Sequence, residues 1–213
     1  MLQKILVYKK QLMTAGIIFV CLVLYGIFPT GNVFQQIISS IAFLLVIPLL
    51  YIKIILKEPL EKYGIGWGER RQGVIWMGLS LLASLLIFYI LLHYTSLPQK
   101  FQLPELATER FSFFVMYELL LVGLFALLYE FFFRGLTMLG LKELGTWSVA
   151  IQSVVFASFF AIIGSFDWST ILFTIISPFA GIAAYRSKSL LYSLGTSLLF
   201  IIIADALAIG LIK

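Results

Sequence analysis

In the stretch Tyr129-Glu130-Phe131-Phe132-Phe133-Arg134-Gly135 a carboxylate and a guanidinium stand four residues apart at the end of a long apolar run. An ionisable group at membrane depth is costly and marks a candidate functional site. Spacing i, i+4 puts Glu130 and Arg134 on one helix face, where each can neutralise the other. A structural ion pair and a reactive pair are both open readings. Glu118 and Asp205 are two further acids inside apolar runs. Paired carboxylates can split their pKa values and act as acid and base, but nothing in the spacing brings these acids together. Glu118 precedes Glu130 by twelve residues, about 18 Å along a helix, which is too far to share Arg134. Glu118 is therefore expected to be neutral, or bonded to polar groups such as Gln152, Thr196 or Ser197. A proton relay or a partner contact is the functional alternative for Glu118 and Asp205.

The elements that must position these groups follow from composition. The chain has 213 residues, of which 62% are hydrophobic and 12% charged, and its mean hydropathy is +1.06. A soluble domain carries about twice that charged fraction. The expected fold class is all-α, a polytopic transmembrane helical bundle, because lipid leaves the backbone no hydrogen-bond partners but its own. One cysteine, Cys21, excludes a disulfide framework and a thiolate cluster. It reads as a small packing residue in the first span.

Seven segments are long enough to cross about 30 Å of hydrocarbon. They lie near 12–28, 33–56, 73–93, 109–133, 146–165, 168–185 and 189–212 in a single membrane domain, 1–213. Pro29-Thr30-Gly31-Asn32 reads as a tight turn, and Pro48 and Pro178 fall inside spans, where they should kink them. Lys4, Lys9 and Lys10 resemble the basic start of a signal peptide, but no small-residue cleavage site follows before Pro29, so a retained first helix is expected. With the N-terminus cytoplasmic, the inner face collects Lys4, Lys9, Lys10, Lys53, Lys57, Lys62, Arg70, Arg71, Arg134, Lys142, Arg186 and Lys188. The outer face collects Lys100, Arg110 and Lys213. Twelve against three is a clear positive-inside asymmetry. One helix more or fewer breaks the alternation, which favours seven spans over six or eight. The net charge of +5 reflects these loop cations and does not indicate nucleic-acid binding. The phenylalanine clusters at 111–114, 131–133 and 156–160 read as packing or lipid-facing residues, not as a ligand box.

The stretch Glu130 to Leu136 resembles the first motif, Glu-Glu-x-x-x-Arg followed by Gly, of the CAAX-protease and bacteriocin-processing (CPBP, or Abi) family of intramembrane metalloproteases. Two other stretches add to the resemblance. Phe179 to Leu191 is similar to the family's Gly-rich helix, Tyr-Arg turn and Ser-Leu start of the last motif helix. Leu60-Glu61-Lys62-Tyr63-Gly64-Ile65-Gly66 is similar to the segment before its third helix. Together they span roughly residues 55–205.

The resemblance implies a site of two carboxylates, two histidines and an asparagine, with one glutamate activating water. Glu130 and Arg134 match that pattern. The first glutamate falls on Tyr129, the histidines on Phe160 and Ser197, and the asparagine on Ile201. A zinc-type site draws most of its affinity from histidine, and the single histidine here, His93, is expected a membrane thickness away from Glu130. No metal or other cofactor is therefore expected.

The leading expectation is a proteolytically inactive family member that binds a membrane partner, in a regulatory or bacteriocin self-immunity role. The resemblance implies a sensor kinase, an anchored cell-wall hydrolase, or a bacteriocin or its receptor as partner, in a bacterial plasma membrane. Gly181, Ala183, Ala184, Gly195, Ser197 and Ala204 are small residues of the kind that let membrane helices approach. With Glu118 and Asp205 they are the candidate partner contacts. The alternative is an active endopeptidase using Glu130. A transporter lacks the paired broken helices and repeats it would need.

Overall fold

The computed structural model describes residues 2–28, 31–164 and 167–212. Seven helices in these residues account for the apolar runs: α1 (Leu2–Ile27), α2 (Val33–Leu56), α3 (Arg70–Tyr94), α4 (Phe111–Leu139), α5 (Trp147–Ile162), α6 (Trp168–Ser187) and α7 (Leu190–Ile212). Six are long and apolar enough to cross a membrane, and α5 is a shorter apolar helix of 16 residues. At about 24 Å, α5 is some 6 Å short of the hydrocarbon thickness. The chain is a multi-pass membrane protein with a helical-bundle fold.

Local chemistry sets several of the ends. Asn32 caps α2 by accepting the Gln35 N–H at 2.9 Å, and Asp167 caps α6 by accepting the Thr170 N–H at 2.8 Å. Lys57 and Lys188 end α2 and α6 in the left-handed conformation, at φ 53° and 55°, where glycine is the usual residue. Pro29 and Thr30 of the expected turn, residue 165 of the expected fifth span, and Lys213 lie outside the described residues, as do the side chains of Lys4 and Lys100.

Two expected spans differ in extent. Helix α1 starts at Leu2, ten residues before the expected span, so Lys9 and Lys10 ride on the helix itself. Helix α4 runs to Leu139, six residues beyond the expected end, and carries Arg134 inside the bundle, 1% exposed. Arg134 is thus not one of the charges on the lysine-rich face. Helix α4 also departs from regular winding. It has π-helical turns over Tyr117–Val122 and Glu130–Leu139, where the Gly140 N–H donates to Gly135 O at 3.1 Å, five residues back. Such turns recur at functional sites, and here each contains one buried glutamate. Pro48 lies between two further π-helical stretches of α2, Ala42–Val46 and Tyr51–Leu56, in keeping with its missing N–H.

Helices α3, α6 and α7 pack on one another, and α5 packs on α6 and on the C-terminal half of α4. The segment between α2 and α3 is stitched to the α6–α7 turn by backbone bonds. The Glu69 N–H donates to Ser187 O at 2.7 Å and the Leu190 N–H to Gly64 O at 2.9 Å. Gly68, at φ 51°, comes so close that a Cβ there would sit 2.1 Å from Ser187 O. Gly135 likewise lets the backbone of Tyr63 approach α4, since its Cβ would stand 3.1 Å from Tyr63 O. These contacts bring the ends carrying Lys10, Lys62, Lys142 and Lys188 to one face of the bundle. At the opposite end Phe101 packs edge-on against Trp168, with ring centroids 5.2 Å apart. Cys21, Phe131, Phe132, Phe133, Phe156, Phe159 and Phe160 are all buried, whereas Phe111 is exposed.

Candidate functional site

Glu130 and Arg134 sit in the wide C-terminal turns of α4 and face α6 and α7. Arg134 Nη1 donates to Glu130 Oε1 at 2.7 Å, and both side chains are about 99% buried. Two hydroxyls one turn apart on α7 complete the carboxylate. Ser197 Oγ donates to Oε1 at 2.8 Å, and Ser193 Oγ donates to Oε2 in a short hydrogen bond. Charge-assisted bonds of this kind are roughly twice as strong as neutral ones. On its other side Arg134 reaches Ser177 O of α6 at 3.5 Å and lies over the ring of Phe156 at 5.9 Å. Gln152 Nε2 donates to Ser177 Oγ at 2.7 Å. Arg134 Nε and Gln152 Oε1 are left without a hydrogen-bond partner. Gly181 is tied to this neighbourhood, because a Cβ there would stand 2.7 Å from Gln152 Oε1.

The positions where the motif departs from its pattern form a packed wall beside the pair. Tyr129 stands edge-on to Phe156, Phe160 and Phe173, with centroids 5.7, 5.5 and 5.1 Å away. Edge-to-face packing of this kind stabilises by about 0.5–1.5 kcal/mol per pair beyond area burial. Ser197 donates to Glu130, and Ile201 is buried, 1% exposed. His93 lies at the far end of α3, exposed, its Nδ1 3.0 Å from Tyr89 O. Among the described residues no group of three or more His, Cys, Asp or Glu side chains could hold a metal ion. The metal that the resemblance implies does not fit. Around Glu130 stand a guanidinium and two hydroxyls, and a cation there would have to displace Arg134.

An apolar recess of about 260 Å³ opens beside Glu130, bounded by Leu45 and Leu49 of α2, Ile65, Leu127 and Phe131 of α4, and Leu191 and Leu194 of α7. Glu130 is the one charged residue on its wall.

The other sequence candidates lie elsewhere, and two expectations are corrected. Glu118 is not bonded to Gln152, Thr196 or Ser197. Those three are engaged with Ser177, with Tyr192 O and with Glu130, and both Glu118 oxygens are without a hydrogen-bond partner. Glu118 instead faces Asp205, which accepts a short hydrogen bond from Trp168 Nε1. The acids at 118 and 205 therefore do meet, while Glu130 stays apart from them. The small residues expected to present a surface to a partner helix are packed within the bundle. Gly181, Ala183, Ala184, Ser197 and Ala204 are buried, and Gly195 is half-buried with the Met77 methyl 3.1 Å from where its Cβ would be. Their smallness serves the contacts of α6 and α7 with α3, α4 and α5.

Sequence reasoning missed Ser193, Ser177 and Trp168. The signal for Ser193 was present: Ser193 and Ser197 repeat the i, i+4 spacing of Glu130 and Arg134 within an otherwise apolar run.

Outside the spans, Glu58 gathers Lys10 at 2.7 Å, Tyr63 Oη at 2.7 Å and Lys62 at 3.1 Å. Burial raises the Glu58 carboxyl, but the bonds from Lys10, Tyr63 and Lys62 outweigh it and hold the group down to about 2. Burial, with the adjoining carboxylate, pushes the Tyr63 hydroxyl well up. This cluster ties α1 to the end of α2 at the lysine-rich face. Compared with family models, curated proteins and solved structures, the chain gives no match.

Proposed function

We propose that the chain is a proteolytically inactive relative of the CAAX-protease and bacteriocin-processing family that works by binding a membrane partner. One observation carries this reading: Glu130 has three donors from its own protein, Arg134, Ser193 and Ser197. A general base must offer a lone pair to a water and later hold its proton, and a carboxylate with three of its four lone-pair sites taken by a guanidinium and two hydroxyls has one left for that task. The recess beside it is apolar and sized for a side chain of a neighbouring transmembrane helix. The partner in this reading is a sensor kinase, an anchored cell-wall hydrolase, or a bacteriocin or its receptor. The setting is a bacterial plasma membrane, with the lysine-rich face cytoplasmic.

The test is co-purification from native membranes in mild detergent. A defined membrane partner should accompany the wild type and be lost with Leu194→Trp, which fills the recess. Equal recovery with the filled recess defeats the binding reading.

The adjacency of Glu130 to the recess also supports the second reading, an active peptidase. That reading requires cleavage of a prenylated or membrane peptide by the wild type and its loss in Glu130→Gln. Such cleavage would replace the first reading.

A further inference from the structure

Among the described residues, the acids at the other end of α4 have no counter-charge. Glu118 is 1% exposed, and no N–H or O–H of another residue reaches either of its oxygens; its polar neighbour is the Asp205 carboxyl. Asp205 of α7, 2% exposed, lies against it and accepts the indole N–H of Trp168. The described groups that face the pair are Tyr117 on α4 and Trp168 at the start of α6, with Asp167 beside Tyr117; none of them is basic. Two carboxylates in contact away from water cannot both ionise, because their repulsion adds to the loss of hydration. The indole N–H supplies Asp205 with a donor, and none reaches Glu118.

A cavity of about 170 Å³ lies at the end opposite the lysine-rich face; neither acid lines it, but Tyr117, which does, lies beside both of them. Its polar lining includes Tyr25, Gln36, Tyr117, Asp167, Ser169 and Thr170. Two lining residues also precede members of the acid cluster in the sequence. Tyr117 lines the cavity and Glu118 follows it. Asp167 lines the cavity and Trp168, which follows it, holds Asp205.

We propose that Glu118 and Asp205 form an intramembrane proton-binding site, loaded from this cavity with one proton that Glu118 carries and Asp205 accepts. Loading takes the proton from water in the cavity and leaves the pair with a single negative charge; release returns it by the same route. A proton fits better than a metal cation, because the Trp168 N–H dipole points its positive end at Asp205, where a cation would have to sit.

The test is infrared difference spectroscopy of the full chain in oriented liposomes. The wild type should show a protonated-carboxyl band at neutral pH that moves in D2O and is lost in Glu118→Gln. The band should respond to a pH step on the cavity side and not on the lysine-rich side. Glu118→Gln should melt at the wild-type temperature, since it replaces one neutral group by another. A band that persists in folded Glu118→Gln, its absence from the wild type, or its removal by Na+ or K+ at constant pH overturns the proposal. Loading from the lysine-rich side overturns the route through the cavity.

Discussion

Helix α4 carries two buried glutamates twelve residues apart, and they meet the apolar interior in opposite ways. Glu130 draws a guanidinium from its own helix one turn on, and two hydroxyls from α7, so its charge is neutralised and its oxygens are bonded. Glu118 meets a second acid and no donor. Both lie in π-helical turns of the same element. The difference comes from what α6 and α7 present at each depth: serine hydroxyls and a backbone carbonyl at one, an aspartate and an indole at the other. The buried ion pair has a donor at each Glu130 oxygen, with Arg134 Nε alone left unpaired. A buried acid pair without a cation must take up a proton.

The contrast can be broken most forcefully at Arg134. Arg134→Met leaves Glu130 buried and uncompensated and should destabilise by about 3–5 kcal/mol. Adding Glu130→Gln should recover a large part of that loss. Thermal melts of both variants in detergent read this out, and a loss below about 1 kcal/mol for the single variant would mean that Glu130 is not held as an anion. Ser193→Ala removes a hydrogen bond to a charged acceptor and should cost about 1.5–3 kcal/mol on the same melts.

The third prediction uses a carboxylate in water's reach as a reference for both buried ones. Glu58 has its folded value depressed from 4.5 to about 2, so its stabilisation is complete above pH 4.5 and is lost as pH falls toward 2. Lys10 and Lys62 are 36% and 50% exposed, so screening reduces the effect to about 1 kcal/mol. Melts between pH 5 and pH 2 should show that loss in the wild type and not in Glu58→Gln. The smallest effect belongs to Glu118→Gln, which should change stability by less than about 0.5 kcal/mol at neutral pH. A loss like that of Arg134→Met would show that Glu118 is a charged, partnered group and would erase the contrast.

Much of the bundle was legible in the sequence because lipid imposes a simple rule. A helix must run through each apolar stretch, and its ends must fall where capping residues or charges appear. Asn32, in the turn expected before the second span, was readable in that way. The extension of α4 to Leu139 was not readable, because the positive-inside pattern counts Arg134 among the charges that end a span. The pairing of Glu130 with Arg134 was visible from i, i+4 spacing alone. Its two serines come from sixty and more residues away, and which turn of α7 faces α4 depends on packing that no local pattern encodes.

By itself, then, the sequence determined an all-α membrane bundle, a self-neutralising ion pair on one helix, and a single histidine placed far from that pair. These follow from composition and from spacing within single helices. Tertiary structure alone decided that Glu118 lies against Asp205 rather than a polar partner, that the small residues of α6 and α7 face inward, and that an apolar recess opens beside Glu130. Each depends on the rotation and depth of one helix against another, and apolar side chains on every face of these helices leave both undetermined until the bundle packs.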